Sequence, residues 1–121
     1  MNFASIFKTE PTRKSFTAGD VLIRQGEANQ MMFIILSGDL EVRVAGKVVA
    51  NLKEGDLFGE LSMIDHEPAS GDVVALSEGE YVTLDERRYV AVSQQNPFFM
   101  MGLLRVVTAK LRAMNQSVAG S

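Results

Sequence analysis

Five glycine-centred turns divide residues 18–56 into stretches too short to be stable helices: Ala18-Gly19-Asp20, Gln25-Gly26-Glu27, Ser37-Gly38-Asp39, Ala45-Gly46-Lys47 and Glu54-Gly55-Asp56. Glycine adopts the left-handed backbone conformations that tight turns need. A helix shorter than about 12 residues is marginal on its own. Between the turns lie Val21–Arg24, Met31–Leu36, Leu40–Val44 and Val48–Leu52. The Leu40–Val44 stretch alternates apolar and polar residues, as a half-buried strand does. Turns at this spacing predict a closed all-β roll or barrel rather than a sheet built with crossover helices.

Two further strand patterns follow at Asp72–Leu76 and Glu80–Leu84, and then the periodicity becomes helical. Asp85 and Glu86 place acids at the positive end of a helix over about residues 86–95, and Pro97 opens the next one. Within 97–115, Met100, Leu104, Val107, Leu111 and Met114 recur at spacings of 4, 3, 4 and 3, a heptad seam. Phe98, Phe99, Leu103 and Val106 give the same helix a second apolar side. One stripe suffices for a helix covering its own barrel. Two stripes predict a partner, most simply the same helix of a second copy. The expected organisation is a lead-in at 1–13, a β-roll with its following short helix at 14–96, a helix at 97–115 and a polar tail at 116–121.

Composition narrows the chemistry. A chain of 121 residues with 46% hydrophobic and 22% charged residues suits one folded domain. It contains no cysteine, hence no disulfide framework and no thiol nucleophile. One histidine, His66, is too few for a β-barrel metal centre or a histidine-based acid–base site, so neither a metal nor an enzyme activity is expected. Residues 53–86 carry ten acids against the single base Lys53, whereas 87–121 carry Arg87, Arg88, Arg105, Lys110 and Arg112 with no acid. Those bases lack the interleaved aromatics of a nucleic-acid face, and a solvated helix side accounts for them. The longest apolar run, Met31–Leu36, is far below the roughly 20 residues that span a bilayer. With no secretory leader pattern and Met1 as a natural start, a cytoplasmic protein without membrane contact is expected.

The informative stretch is Gly55-Asp56-Leu57-Phe58-Gly59-Glu60-Leu61-Ser62. Gly59 lets the chain turn into a short helix whose free N–H groups suit an anion. The carboxylate after it can accept hydrogen bonds from a sugar hydroxyl. A Gly-Glu dipeptide alone is a weak signal, since the turn can need the glycine and the glutamate can cap the helix without any ligand.

Taken with its neighbours it says more. Phe16-x-Ala18-Gly19-Asp20, Leu22-Ile23-x-Gln25-Gly26-Glu27, Met32-Phe33-Ile34-Ile35-x-Ser37-Gly38 and Gly55-Asp56-x-Phe58-Gly59-Glu60-Leu61-Ser62, followed by Pro68 and Val73-Val74-Ala75, make the chain resemble the cyclic-nucleotide-binding domain family. That family includes the catabolite activator protein and the regulatory subunits of cyclic-AMP-dependent protein kinase. The resemblance covers about residues 14–115. It implies a mainly β fold, an eight-stranded antiparallel, jelly-roll-like β-roll with a short N-terminal helix and C-terminal helices. It also implies a phosphate-binding cassette whose glutamate holds the ribose 2′-hydroxyl. Backbone amides of the cassette hold the phosphate, and an arginine pairs with its charge. Carried onto this chain, the ligand residues are Gly59, Glu60, Leu61, Ser62, Ala69 and Ser70.

The arginine position is occupied by Ala69. The family's Pro-Arg-Ser-Ala-Thr pattern reads Pro68-Ala69-Ser70-Gly71-Asp72 here. Losing one side of a charge-assisted pair costs roughly 2–5 kcal/mol, about 30- to several-thousand-fold in affinity. Asp72, two residues beyond Ser70, is expected to share its face and to repel a phosphate. Arg43, Arg87 and Arg88 are the remaining candidate cations, and nothing in the sequence brings them to the site. The expectation is a stand-alone regulatory module that binds cyclic AMP or cyclic GMP weakly, or a different ligand. Its output would pass to a protein effector through residues 86–115, with homodimerisation along Met100, Leu104, Val107, Leu111 and Met114. The alternative is a ligand-free scaffold acting by dimerisation or docking through that helix. A DNA-reading role is disfavoured because no helix-turn-helix follows residue 115.

Overall fold

The computed structural model describes residues 2–119. Most segments between glycine turns are strands: β1 (Lys14–Phe16), β2 (Val21–Ile23), β3 (Met32–Ser37), β4 (Leu40–Val44) and β5 (Lys47–Leu52). Then come β6 (Leu57–Phe58), the helix α1 (Glu60–Asp65), β7 (Asp72–Ala75) and β8 (Gly79–Leu84), followed by α2 (Glu86–Gln95) and α3 (Pro97–Ala119). A 3₁₀ turn at Phe3–Phe7, capped by the Asn2 side chain on the Ala4 amide, is the helical lead-in. The eight strands form two antiparallel four-stranded sheets, ordered β1-β8-β3-β6 and β2-β7-β4-β5.

Residues through 87 form one compact unit and residues from 88 onward a second. In the first unit, an apolar cluster joins Phe16, Phe33, Ile35 and Phe58 of one sheet to Ile23, Leu40, Val73 and Ala75 of the other. Strand register shows which side chains face it. Leu40 lies opposite Ala75 and Val42 opposite Val73, all within or packed against the cluster, whereas Glu41 and Arg43 lie opposite Val74 and Asp72. Alternation therefore sets Glu41, Arg43 and Asp72 on the other face of this sheet.

Phe33 stacks on Phe58 at 4.6 Å and on Tyr81 at 5.6 Å between ring centroids. Burial, and secondarily the charge of Asp20, raises the Tyr81 hydroxyl above its ordinary pKa of 10.0. A raised acid means the fold favours the neutral phenol. The associated stability is complete below pH 10.0 and is lost as pH rises through the folded value. The melting temperature should fall above that pH more steeply in the native chain than in Tyr81→Phe; identical alkaline slopes would refute the assignment.

In the second unit, α2 and α3 meet at Asn96, whose amide bonds the Val92 carbonyl while its own carbonyl receives the Phe99 amide. Phe99 packs on Tyr89 at 5.3 Å. The helix opened by Pro97 runs to Ala119, past the 115 expected from the seam, so of the expected tail at 116–121, residues 116–119 are helical and 120–121 lie outside the described residues. Asn115-Gln116-Ser117-Val118-Ala119 holds neither glycine nor proline, so nothing in it breaks the helix. Two apolar sides are distinguishable. Phe99 and Leu103 are buried and Val106 is half-buried, whereas Phe98 is 76% exposed. The seam residues Met100, Leu104, Leu111 and Met114 are exposed, with Val107 half-buried.

Candidate functional site

Gly59 follows β6 and precedes α1 with φ 78° and ψ 2°, a left-handed conformation that glycine adopts without strain. Space at this position is also tight: a Cβ would stand 2.7 Å from the Met31 carbonyl oxygen and 3.2 Å from Ile23 Cδ1. Asn29 fixes the approach, donating from Nδ2 to the Met31 carbonyl at 2.8 Å and to the Gly59 carbonyl at 3.5 Å. Sequence reading did not single out Asn29. Its signal was a side-chain amide just before β3, the kind of residue that bonds local backbone.

From that turn Glu60, the first residue of α1, enters the interior fully buried, and Ser62 is buried behind it. Leu61 and Ile64, three apart on α1, are exposed. At the other end of α1, His66 adopts φ 61° as a C-cap, its amide bonding the Ser62 carbonyl at 2.9 Å. Its side chain is exposed, and no metal-binding cluster of His, Cys, Asp or Glu occurs among the described residues.

The second half of the expected site lies at residues 69–72. Ala69 is 8% exposed and belongs to the apolar cluster with Ile23, Phe58 and Val73. Two backbone bonds hold it to the turn before β3: Gly26 N–H to the Ala69 carbonyl at 2.8 Å, and Ala69 N–H to the Glu27 carbonyl at 2.9 Å. Ile23 lies beside Gly59 and shares the apolar cluster with Ala69, and the segment 23–31 bonds to both halves of the cassette. Ser70 is exposed at a bend.

Asp72 has a definite partner, its Oδ1 accepting the Gln25 amide at 2.7 Å. The Gln25 side chain accepts the Ala45 amide at 2.9 Å, so three loops are tied together there. The strand begins only at Asp72, so alternation cannot be counted back to Ser70 across the bend. Asp72 instead lies on the face opposite the cluster. Gly71 is buried against β4, where a Cβ would stand 2.8 Å from the Arg43 carbonyl oxygen. That close approach accounts for glycine where the resemblance implies alanine. Arg43 shares the outer face and donates Nε to Glu41 Oε1 at 2.7 Å, with Nη2 on the same oxygen. It does not enter the cluster.

The resulting site has a buried carboxylate at a left-handed glycine turn, the apolar core beside it and no buried cation: among the described residues the buried polar or charged side chains are Glu60, Ser62 and Ser93. Comparison with known proteins identifies its type. The sequence profile described as "Cyclic nucleotide-binding domain" matches residues 13–96. The chain belongs to the cyclic nucleotide-binding domain family.

The chain is 31% identical over 102 residues to the Pycsar effector protein XpPycTIR of Xanthomonas perforans, covering 84% of this chain and 34% of that protein. It is 27% identical over 105 residues to the cyclic AMP receptor protein of Thermus thermophilus, covering 83% of this chain and 49% of that one. It therefore spans about a third to a half of these relatives. The crystal structure of the Thermus thermophilus catabolite activator protein is similar with a TM-score of 0.80 at 23% identity, covering 93% of this chain and 61% of that one. The cAMP-bound PfPKA-R structure gives 0.76 at 23%, covering 95% and 44%. These two likenesses agree on the two-sheet roll followed by helices.

Proposed function

We propose that the chain is a regulatory cyclic-nucleotide-type module that senses a small ligand at Gly59–Ser62 and residues 69–70, and that it acts by binding rather than catalysis. The observation carrying this reading is the fully buried Glu60 directly after a left-handed glycine turn, in the position where the family places its sugar-binding glutamate. Ala69 makes cyclic AMP and cyclic GMP weak ligands, because a desolvated phosphate there finds no guanidinium. Ligand would shift the population of helix arrangements, and residues 86–115 would carry the change to an effector protein. We place the module in the cytoplasm; no helix among the described residues is long and apolar enough to cross a membrane.

Amide NMR spectra recorded during titration with cyclic AMP and cyclic GMP test the reading. Shifts concentrated at Gly59–Ser62 and Ala69–Ser70 support it. Folded protein with no shifts at millimolar nucleotide would favour the scaffold reading, which the apolar packing of Ala69 also suits.

The seam on α3 is proposed to join two copies. With Met100, Val107 and Met114 at d and Leu104 and Leu111 at a, Arg105 and Arg112 fall at b, off the seam, and only Lys110 flanks it at g. Two parallel copies would therefore bring their apolar residues together without facing arginines. Leu104→Glu should convert dimer to monomer in sedimentation velocity while leaving the far-ultraviolet spectrum of the roll intact. A native chain sedimenting as a monomer at high micromolar concentration would contradict the pairing.

A further inference from the structure

We infer that Arg24 is the residue through which this chain meets the anionic group of a ligand; the inference rests on the ligand-module reading above. The turn that carries Arg24 is built against the cassette. Its carbonyl accepts the Glu27 amide at 3.1 Å and closes the turn. Gly26 and Glu27, inside that turn, make the two backbone bonds to Ala69. Residue 69, where the resemblance implies a guanidinium, is thus bonded to the turn that Arg24 begins. The same segment reaches the other half of the cassette. A cavity of about 120 Å³ is lined in part by Ile23, Arg24, Glu27 and Asn29. Asn29 bonds the Gly59 carbonyl, and Ile23 Cδ1 limits the space beside Gly59.

Arg24 is also a cation that the fold leaves unengaged. Its side chain is exposed and has no hydrogen bond or ion pair among the described residues. Arg43, by contrast, is held by Glu41 on the outer face, and Arg13 lies 3.6 Å from Glu80. Lys47 and Lys53 flank β5, at the opposite edge of its sheet from β2. A guanidinium on this turn differs in kind from one at residue 69. It stays in water, so its attraction for an anion is screened by salt and small beside that of a desolvated pair. Its long stem lets the planar fork swing toward a phosphodiester at the mouth of the cavity. Glu27, in the same cavity, opposes that anion and further limits the affinity. Weak, salt-sensitive binding of an anion is what this arrangement provides while Ala69 stands in place of the buried charge.

Calorimetric titration of cyclic AMP into the native chain, Arg24→Gln and Arg24→Lys, each at low and at high salt, tests this. Only the backbone of Arg24 contributes a bond to the fold, so both variants should keep the native melting temperature. Native affinity should fall as salt rises. Arg24→Gln should weaken binding about five-fold at low salt, the scale of an exposed ion pair, and flatten the salt dependence. Arg24→Lys should retain most of both. Weaker binding with an unchanged response to salt would mean that the residue only shapes the turn, and would overturn the inference. Native affinity in Arg24→Gln would also overturn it while leaving the ligand-module reading intact. A folded native chain that gives no heat with millimolar cyclic AMP would overturn both.

Discussion

Replacing Ala69 with arginine should destabilise the ligand-free protein and make its stability depend on cyclic nucleotide. Ala69 belongs to the buried apolar cluster that includes Ile23, Phe58 and Val73, so the new guanidinium begins its path in apolar surroundings. A lone charge held there costs roughly 2–4 kcal/mol, less than a fully buried ion because the long side chain can carry its head toward the rim. That corresponds to a fall in melting temperature on the order of 10 °C for a domain of this size. Cyclic AMP or cyclic GMP would then restore much of the loss by pairing its phosphate with the charge. Differential scanning with and without millimolar nucleotide reads both effects. A variant that unfolds at the native temperature and ignores nucleotide would show that residue 69 does not face the ligand. The substitution is best made alone. Asp72→Thr would disturb the 2.7 Å bond to the Gln25 amide, and Gly71→Ala would press a methyl against the Arg43 carbonyl.

Gly59→Ala should be the most damaging single-methyl addition at the site. A left-handed alanine costs roughly 1–2 kcal/mol. The 2.7 Å approach to the Met31 carbonyl adds to this, because the methyl meets backbone that has no rotamer by which to yield. Relief would come from shifting the start of α1, which carries Glu60 out of register with the 69–72 segment. Ligand binding should therefore disappear along with roughly 2 kcal/mol or more of stability. Gly46→Ala supplies the control: its φ of 81° is equally left-handed, but nothing lies within 4 Å of the added carbon. Equal denaturation midpoints for the two variants would eliminate the close approach as the cause.

Much of the fold was legible because glycines punctuate it. The turns at Gly19, Gly26, Gly38, Gly46 and Gly55 all have positive φ, and the strands fall between them. Strand β6 escaped because Leu57–Phe58 is too short to show a period. The end of α3 was placed early because the apolar seam stops at Met114 and polar residues 115–117 follow, while the helix continues to Ala119. At the site, Gly59 and Glu60 stood out by residue type. The surroundings of Ala69 did not: it belongs to an apolar cluster with residues such as Ile23 and Phe58, which only the fold brings together. Asp72 was placed beside Ser70 by a strand period that does not operate across the bend before β7. Asn29 offered only a local signal for a related reason, since its second bond reaches the Gly59 carbonyl thirty residues away.

The central claim is that residue 69 sets the charge of the ligand this module accepts. Calorimetric titration of cyclic AMP into the unmodified protein and into Ala69→Arg, in one buffer, tests it most directly. Affinity should rise at least about 30-fold with the arginine, the lower bound for restoring such a pair. Equal, micromolar affinity in both proteins would contradict the account and send the search for the pairing cation to Arg24, on the turn already bonded to residue 69.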